Sequence, residues 1–500
     1  MPHTTEIWIK GLLCLGALAV VVWRHRQRGR LGERSGQLLA FTAVVAVAAY
    51  YNFGLFHGAG YVHHWEMFHY YLGSKYFPEL GYDGLYVAST AAQAESSPEL
   101  PLQTQIRDLR TNTVVPTWAV ADHRAEVRQR FSPQRWQDFK RDNLHFVLAN
   151  DLGYLTKIRL DHGYNPTPTW TFMGRLFDRF VPATRTALMA LGVLDPLLLA
   201  VMFFVVFRTM GSRVGCLCLI VFGLGYPWRF DWVGGAFLRQ DWLVAVVLAI
   251  CMVRQKRWAS AGALSGYAAT VRLFPLLFLF GLGVLLLRSV LRRESLGWAL
   301  RFAAGLAVSV TLCVGAGCLA GRGPGAWPEF VRNIEKHEGS WLTNNVGLKN
   351  LFLYGPDTIS RRMVSWSLPE PWAVWQAHMD TVSEARRLPI AAVTLGFLAV
   401  LACAAWNAPR HEAALLGVAV VFAVLLLTCY YWVMLLVVPM RRGWTATAGW
   451  LAINVALFGL DLLTPAFEAI YGFMSWALAI FFLVWISRDA LAVIRRRSAT

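Results

Sequence analysis

Charge is scarce in this 500-residue chain: Asp, Glu, Lys and Arg make up 15% of it, against about a quarter in soluble domains. Acidic residues are the scarcer sign, 30 against 47 basic, for a formal net charge of +17. In a soluble domain that excess would point to nucleic acid. In a chain that is 56% hydrophobic, with mean hydropathy +0.43, it is the excess that short basic loops give a membrane protein. The Lys and Arg do cluster in such loops, so no nucleic-acid partner is expected. Cysteine is sparse too. All eight (Cys14, Cys216, Cys218, Cys251, Cys313, Cys318, Cys403 and Cys429) lie within or at the edge of apolar runs. With no CxxC spacing and none in the polar segments, they read as small packing residues and not as disulfides or zinc ligands. A Rossmann glycine fingerprint, a P-loop and an HExxH helix are all missing. The start of the chain lacks a basic leader and a small-x-small cleavage site, so it reads as a retained first span and not as a signal peptide.

What is abundant is long apolar sequence. Runs of about 20 residues cross about 30 Å of hydrocarbon. They occupy 7–23, 36–53, 186–207, 237–253, 297–319, 388–406, 445–462 and 470–487. Shorter or broken runs at 214–226, 259–273, 274–290, 413–428 and 431–440 are punctuated by Pro227, Pro275 and Pro439. Together they predict an all-α polytopic membrane protein with about 13 transmembrane helices, built as one integral membrane domain without an internal repeat. The basic clusters are Arg24, Arg26, Arg28, Arg30 and Arg34; Arg208 with Arg213; Arg254, Lys256 and Arg257; Arg288, Arg292 and Arg293; Arg441 with Arg442; and Arg495, Arg496 and Arg497. About thirteen crossings put them all on one side, which is the cytoplasm, with the N-terminus outside and the C-terminus inside.

Two long segments, 54–185 and 320–387, then fall on the outer face, and loops of that length tend to be functional. In the first, Ser132 and Pro133 read as N-cap and first residue of a helix. Trp136, Phe139, Leu144, Val147 and Leu148 follow at loosely helical spacing, suited to a helix in the membrane interface. The stretch 92–115 reads as a flexible tip.

Candidate chemistry collects on this face. The run His63-His64-Trp65-Glu66-Met67-Phe68-His69-Tyr70-Tyr71 sets one carboxylate among aromatics. Such surroundings desolvate Glu66, raise its pKa and suit a general base. His64, His69 and Tyr70 are candidates to line a substrate or hold a metal beside it, as is Asp83 further on. The alternative is an interfacial aromatic belt with one hydrogen-bonded acid. Arg239, Gln240 and Asp241 stand at the mouth of a span, where they are costly unless they pair with one another or line a polar cavity. Arg272, just before Leu273-Phe274-Pro275, either binds an anion through charge-assisted hydrogen bonds or pairs with an acid such as Asp241. The stretch from Leu160 to Trp170, with Asp161 and His162, either lines a groove or makes a rigid return to the membrane. Asn344, Asn345 and Lys349 mark the second outer segment, where Asn-Asn is also ordinary turn chemistry.

The acid, the aromatics, a short helix and then Gly84-Leu85-Tyr86 resemble the first outer loop of the glycosyltransferase C superfamily. The likeness is to its polyprenyl-phosphate-dependent mannosyl- and arabinosyltransferases, which include the mycobacterial phosphatidylinositol mannosyltransferases. Their pattern is Asp, aromatic, two variable positions, Tyr; Glu66 stands where they have Asp, which changes reach but not chemistry. The segment from Ala261-Gly262 to Arg272-Leu273-Phe274-Pro275 is similar to the family's Ala-Gly…Lys-x-x-Pro, with Arg272 in the Lys position. Gly234 to Trp242 occupies the place of a Gly-Gln or Gly-x-x-Asn motif, and Asn344-Asn345 the place of an Asn-rich stretch that faces the sugar.

The resemblance implies a glycosyltransferase of this fold in the bacterial inner membrane, working on the outer face. Glu66 would be the catalytic base. Arg272, with Arg239, Gln240, Asn344, Asn345 and Lys349, would hold the phosphate and sugar of a lipid-linked donor. His64, His69, Tyr70, Asp83, Asp241 and His162 would line the substrate. The acceptor would be a lipid or glycan, and the reaction inverting. No cofactor is expected beyond the donor, and no metal, although Glu66 with Asp83 and the histidines leaves one open. An extra N-terminal span over 1–35 is also implied, because the acid normally follows the family's first span. The second expectation is a transporter or flippase, which usually shows internal repeats and midplane charges on broken helices. A third is a ligase of similar topology.

Overall fold

The computed structural model describes residues 2–27, 33–58, 60–365, 368 and 370–497. Arg28 and Arg30, and the side chains of Arg34, Arg442, Arg495, Arg496 and Arg497, lie outside the described residues. Among those described, seven helices are long and apolar enough to cross a membrane: His3–Arg26, Arg185–Met210, Phe274–Leu291, Gly297–Cys318, Arg387–Trp406, Gly443–Leu463 and Phe467–Ser487. Ser212–Gly223 and Tyr226–Val233 make an eighth if taken together across a 67° bend. Pro227 sits in that break and lacks the N–H that would continue the helix. Gly36–Tyr50 and Cys429–Arg441 are shorter apolar helices. The Asp241–Arg254 and Trp258–Val271 helices, 14 residues each, come from two further apolar runs, the first with almost all its side chains buried.

Close helix packing has a visible sequence cause. Gly262 and Gly266 lie one turn apart and face Gly297–Cys318. A Cβ on Gly262 would stand 1.9 Å from the Phe302 carbonyl oxygen, and one on Gly305 would stand 2.0 Å from that of Ala259. Only small residues let two backbones approach so closely. The seam fixes the helix whose C-terminal end carries Arg272. That helix stops at Val271: Arg272 is extended (φ −145°, ψ 133°), and Pro275 falls at the start of the 3-10 turn Phe274–Leu279.

The two long segments expected on the outer face are folded, not structureless. Residues 92–115, expected as a flexible tip, are helical to Ser96 and then form a hairpin, Gln105–Asp108 antiparallel to Thr113–Pro116. Ile106 is buried opposite Val115, and Asn112 takes the positive φ (59°) of the turn. Buried Arg107 ties the hairpin down by donating to the carbonyls of Leu160 (2.8 Å) and Asn112 (2.6 Å). The predicted helix is present as Pro133–Ala149, with the Ser132 hydroxyl accepting from Arg135 N–H at 3.3 Å. Its inward face differs from the one expected. Leu148 is 70% exposed, whereas Asp142 is fully buried. Asp142 takes bonds from Lys75 (2.6 Å), Tyr76 (2.7 Å) and Tyr71 (3.0 Å). This clamps the helix to the segment that carries Glu66. A second small sheet, Asn345–Val346 with Leu427–Thr428, joins the other outer segment to the membrane helices.

Candidate functional site

Glu66 sits in a continuous helical stretch made of His64–Met67, a π-helical turn Phe68–Leu72, and Gly73–Lys75. Such π turns recur where a chain positions functional groups. His63 caps the stretch: its Nδ1 accepts from Glu66 N–H at 3.2 Å, so its Nε2 donates to the Asp231 carbonyl at 2.9 Å. The facing loop, 234–240, docks on the same residue through His63 N–H to the Gly235 carbonyl (3.2 Å). Gly235 has φ 75°, and a Cβ there would lie 1.8 Å from the Tyr61 carbonyl oxygen, so no other residue fits. Asp195 pins the end of the loop by accepting from the backbone N–H groups of Arg239 (2.9 Å) and Gln240 (3.2 Å). Trp170 holds the Leu238 carbonyl at 2.7 Å. Leu238 itself has φ 51°, a conformation that costs a branched residue energy and persists only where surroundings impose it.

The loop delivers Arg239 to Glu66, with Nε 2.5 Å from Oε2. The contact is an ion pair whose angle is not that of an aligned hydrogen bond. Burial pushes the Glu66 carboxyl above the ordinary 4.5, and the guanidinium offsets this only in part. Arg239 also lies over the Tyr70 ring, 4.1 Å from its centre, and donates through Nη1 to the Tyr70 hydroxyl. Arg272 donates to that same hydroxyl through Nη2 at 3.3 Å. The phenol oxygen thus has two guanidiniums converging on it. Among the described residues Arg272 has no carboxylate within ion-pair distance. Asp241, its expected partner, instead accepts from the Tyr267 hydroxyl (2.9 Å) and Trp242 N–H (2.8 Å). The Nε of Arg272 and the Oε1 of Gln240 are buried without a hydrogen-bond partner.

Tyr430 and Tyr431, which sequence reasoning did not single out, cover the centre. The Arg239 guanidinium is 5.6 Å from the Tyr430 ring, and Tyr431 packs against Phe274 (5.3 Å) and Trp242 (6.0 Å). Asn344 and Asn345 act one step back. The Asn344 carbonyl accepts from Cys429 N–H at 2.9 Å, and Asn345 is in register with Thr428, so they place the tyrosine pair. No described contact joins these asparagines or Lys349 to Glu66, Arg239 or Arg272.

The histidines are engaged elsewhere. His69 is buried, with Nδ1–H donating to the Trp65 carbonyl (2.8 Å) and Nε2 bonded to the Tyr86 hydroxyl (2.7 Å). Neither nitrogen is left for a substrate or a metal, which corrects the expectation for that residue. His64 accepts from Asn150 at 3.2 Å and stacks near His145. Asp83 lies 3.2 Å from Arg130 and 3.6 Å from His123, and His162 bonds Asn112 at 3.0 Å, so neither joins Glu66. Asp161, in contrast, stands in Glu66's electrostatic surroundings and accepts from Trp65 Nε1 at 2.8 Å. Burial pushes its carboxyl up, but His69, His162 and the indole outweigh it and hold Asp161 below the usual range. Among the described residues no three His, Cys, Asp or Glu are grouped to hold a metal.

The assembled centre couples a desolvated carboxylate, able to take a proton, to two buried guanidiniums, able to hold an oxyanion. No protein-family model, curated protein or solved structure matches the chain.

Proposed function

We propose that the chain is a membrane glycosyltransferase that moves a sugar from a polyprenyl phosphate to a hydroxyl of a lipid or glycan acceptor, on the outer face of a bacterial inner membrane. The observation that carries this reading is the convergence of Arg239 and Arg272 on the Tyr70 hydroxyl beside buried Glu66. Planar guanidiniums match phosphate oxygens, and a buried one without a carboxylate suits an anionic ligand. Leu273 and Leu276, next to Arg272, are 52% and 47% exposed, so the apolar surface beside the cation suits a donor arriving laterally through the bilayer. Taking the basic loops as cytoplasmic, this end of the helices belongs to the outer face in the proposed arrangement.

In the proposed reaction Glu66 takes the acceptor proton as the acceptor oxygen bonds to the anomeric carbon. The bond from that carbon to the phosphate oxygen breaks, and polyprenyl phosphate leaves with its added charge held by Arg272 and Arg239. One displacement inverts the anomeric centre. Burial, which raises the Glu66 carboxyl above its ordinary value, suits a proton acceptor.

A transporter or flippase is the second reading. The 67° helix break near Pro227 adjoins buried charges, with Lys10 2.7 Å from Glu6 and Arg229 3.0 Å from Asp461, features that transport pathways share. The test is transfer of radiolabelled sugar from synthetic polyprenyl-phosphate donors to membrane acceptors by wild type and Glu66→Gln. Loss of transfer in the variant with donor binding intact supports the base. Absence of transfer by wild type from every donor overturns the enzyme reading and favours transport.

A further inference from the structure

The long first segment and the Ala326–Glu338 helix hold a cavity that the proposed transfer does not use. It measures about 470 Å³, within the range of small-ligand sites, and Tyr82, Asp83 and the Ala326–Glu338 helix contribute to its lining. Five cations line it, Arg110, Arg130, Arg322, Arg332 and Lys336, against the carboxylates of Asp83 and Glu329. Three of the five are committed. Arg322 grips Glu329 through two bonds of 2.6 and 3.0 Å, Arg130 holds Asp83 (3.2 Å) and Glu126 (2.7 Å), and Arg110 lies 3.4 Å from Glu126.

Arg332 and Lys336 are different. Among the described residues neither has a carboxylate within ion-pair distance, and the Lys336 ammonium donates to the Leu109 carbonyl at 2.6 Å. They stand four apart on one helix, a like-charge spacing that weakens it. The arrangement is therefore unfavourable for the fold by itself and becomes favourable with an anion between the two. The buried Tyr82 ring, stacked on Tyr164 at 6.0 Å, stands between this cavity and Tyr70, which is 6.3 Å beyond Tyr164.

We propose that this cavity binds a phosphate ester, with Arg332 and Lys336 as its principal cations. Four of the five lining cations are guanidiniums, whose fork matches phosphate oxygens. Asp83 and Glu329 supply acceptors for hydroxyl groups on the organic part of the ester. The inference stands independently of glycosyl transfer. The same chemistry is offered by a phospholipid headgroup in the adjoining leaflet and by a soluble phosphate ester.

The test uses the full chain in nanodiscs. In one arm, glycerol 1-phosphate is titrated calorimetrically against protein in phosphatidylcholine discs. In the other, the discs mix phosphatidylcholine with phosphatidylglycerol, and retained lipid is read by native mass spectrometry. Binding in either arm, weakened about tenfold or more in Arg332→Gln/Lys336→Gln, is the expected result. The arm that responds identifies the source. Arg332 is exposed and Lys336 partly so, so the variants should fold, which a cooperative unfolding transition checks, and each single substitution should lose part of the affinity. Equal binding by wild type and the double variant, or no binding in either arm, overturns the proposal.

Discussion

Arg272 offers the sharpest separation of function from stability. Its guanidinium is buried, and its hydrogen bonds are two long ones, 3.3 Å to Tyr70 and 3.4 Å to the carbonyl of Val271, both neutral partners. A buried charge without an opposite charge in contact costs the fold several kcal/mol after relaxation. Arg272→Met keeps the apolar stem and removes the charge, so it should stabilise the folded protein by about 1–3 kcal/mol. If Arg272 holds the donor phosphate, the same change removes one or two charge-assisted hydrogen bonds of about 1.5–3 kcal/mol each. The expected loss in kcat/KM is then roughly tenfold or more. Thermal unfolding in nanodiscs and transfer of labelled sugar measure the two effects on the same sample. A structural arginine predicts the reverse: a lower midpoint with kcat/KM within a few-fold of wild type. That pair of results would refute the reasoning, because the cation would be contributing to the fold and not to a ligand.

Other expectations follow from the same geometry. The acidic limb of kcat/KM should lie above the ordinary glutamate value of 4.5, because burial raises Glu66; activity is lost as pH falls through that raised value. Arg239→Gln removes the largest opposing influence and should move the limb further up, so a limb that stays put would show that Glu66 does not govern it. Gly262→Ala places a Cβ 1.9 Å from the Phe302 carbonyl oxygen and should destabilise by about 1–3 kcal/mol, seen as a lowered unfolding midpoint. Asp83, half-buried beside His123 and Arg130, is held down to about 2 from an ordinary 3.8 although burial alone would raise it. A depressed carboxylate contributes stability above its unfolded value that is lost as pH falls towards the folded one. Asp83→Asn should therefore cost about 2 kcal/mol at neutral pH and almost nothing near pH 2, as read by denaturant unfolding at the two pH values.

Much of this was legible in the chain because the signals are local. Apolar run length marks the spans, Ser132-Pro133 marks a helix start, and a glutamate among aromatics implies a desolvated carboxylate. Arg239, Arg272 and Tyr70 were each visible as expensive or unusual residues, though their convergence was not. That convergence depends on partners 169 and 202 positions apart. The role of Asp195 was hidden for the same reason: it looks like an acid early in a span, and only the fold turns it towards the backbone of Arg239 and Gln240. His69 read as a candidate ligand because nothing local shows that Tyr86, 17 residues on, occupies its second nitrogen. The hairpin at 105–116 was not legible because Gln-Ile-Arg-Asp and Thr-Val-Val-Pro carry no period-2 alternation and buried Arg107 breaks the apolar pattern. Tyr430 and Tyr431 sat inside an apolar run, where aromatic residues attract no notice.

The two-stranded pairing of Asn345–Val346 with Leu427–Thr428 bears on the order in which the protein is made. Glu66 and Arg239 can meet once the first half of the chain is made, but Tyr430 and Tyr431 follow a strand whose partner, Asn345–Val346, comes earlier in the chain. Until then the ion pair lacks that cover, and an ion pair left exposed is energetically almost neutral. A nascent chain ending before residue 427 would therefore hold every charge of the centre while lacking the two tyrosines that cover it.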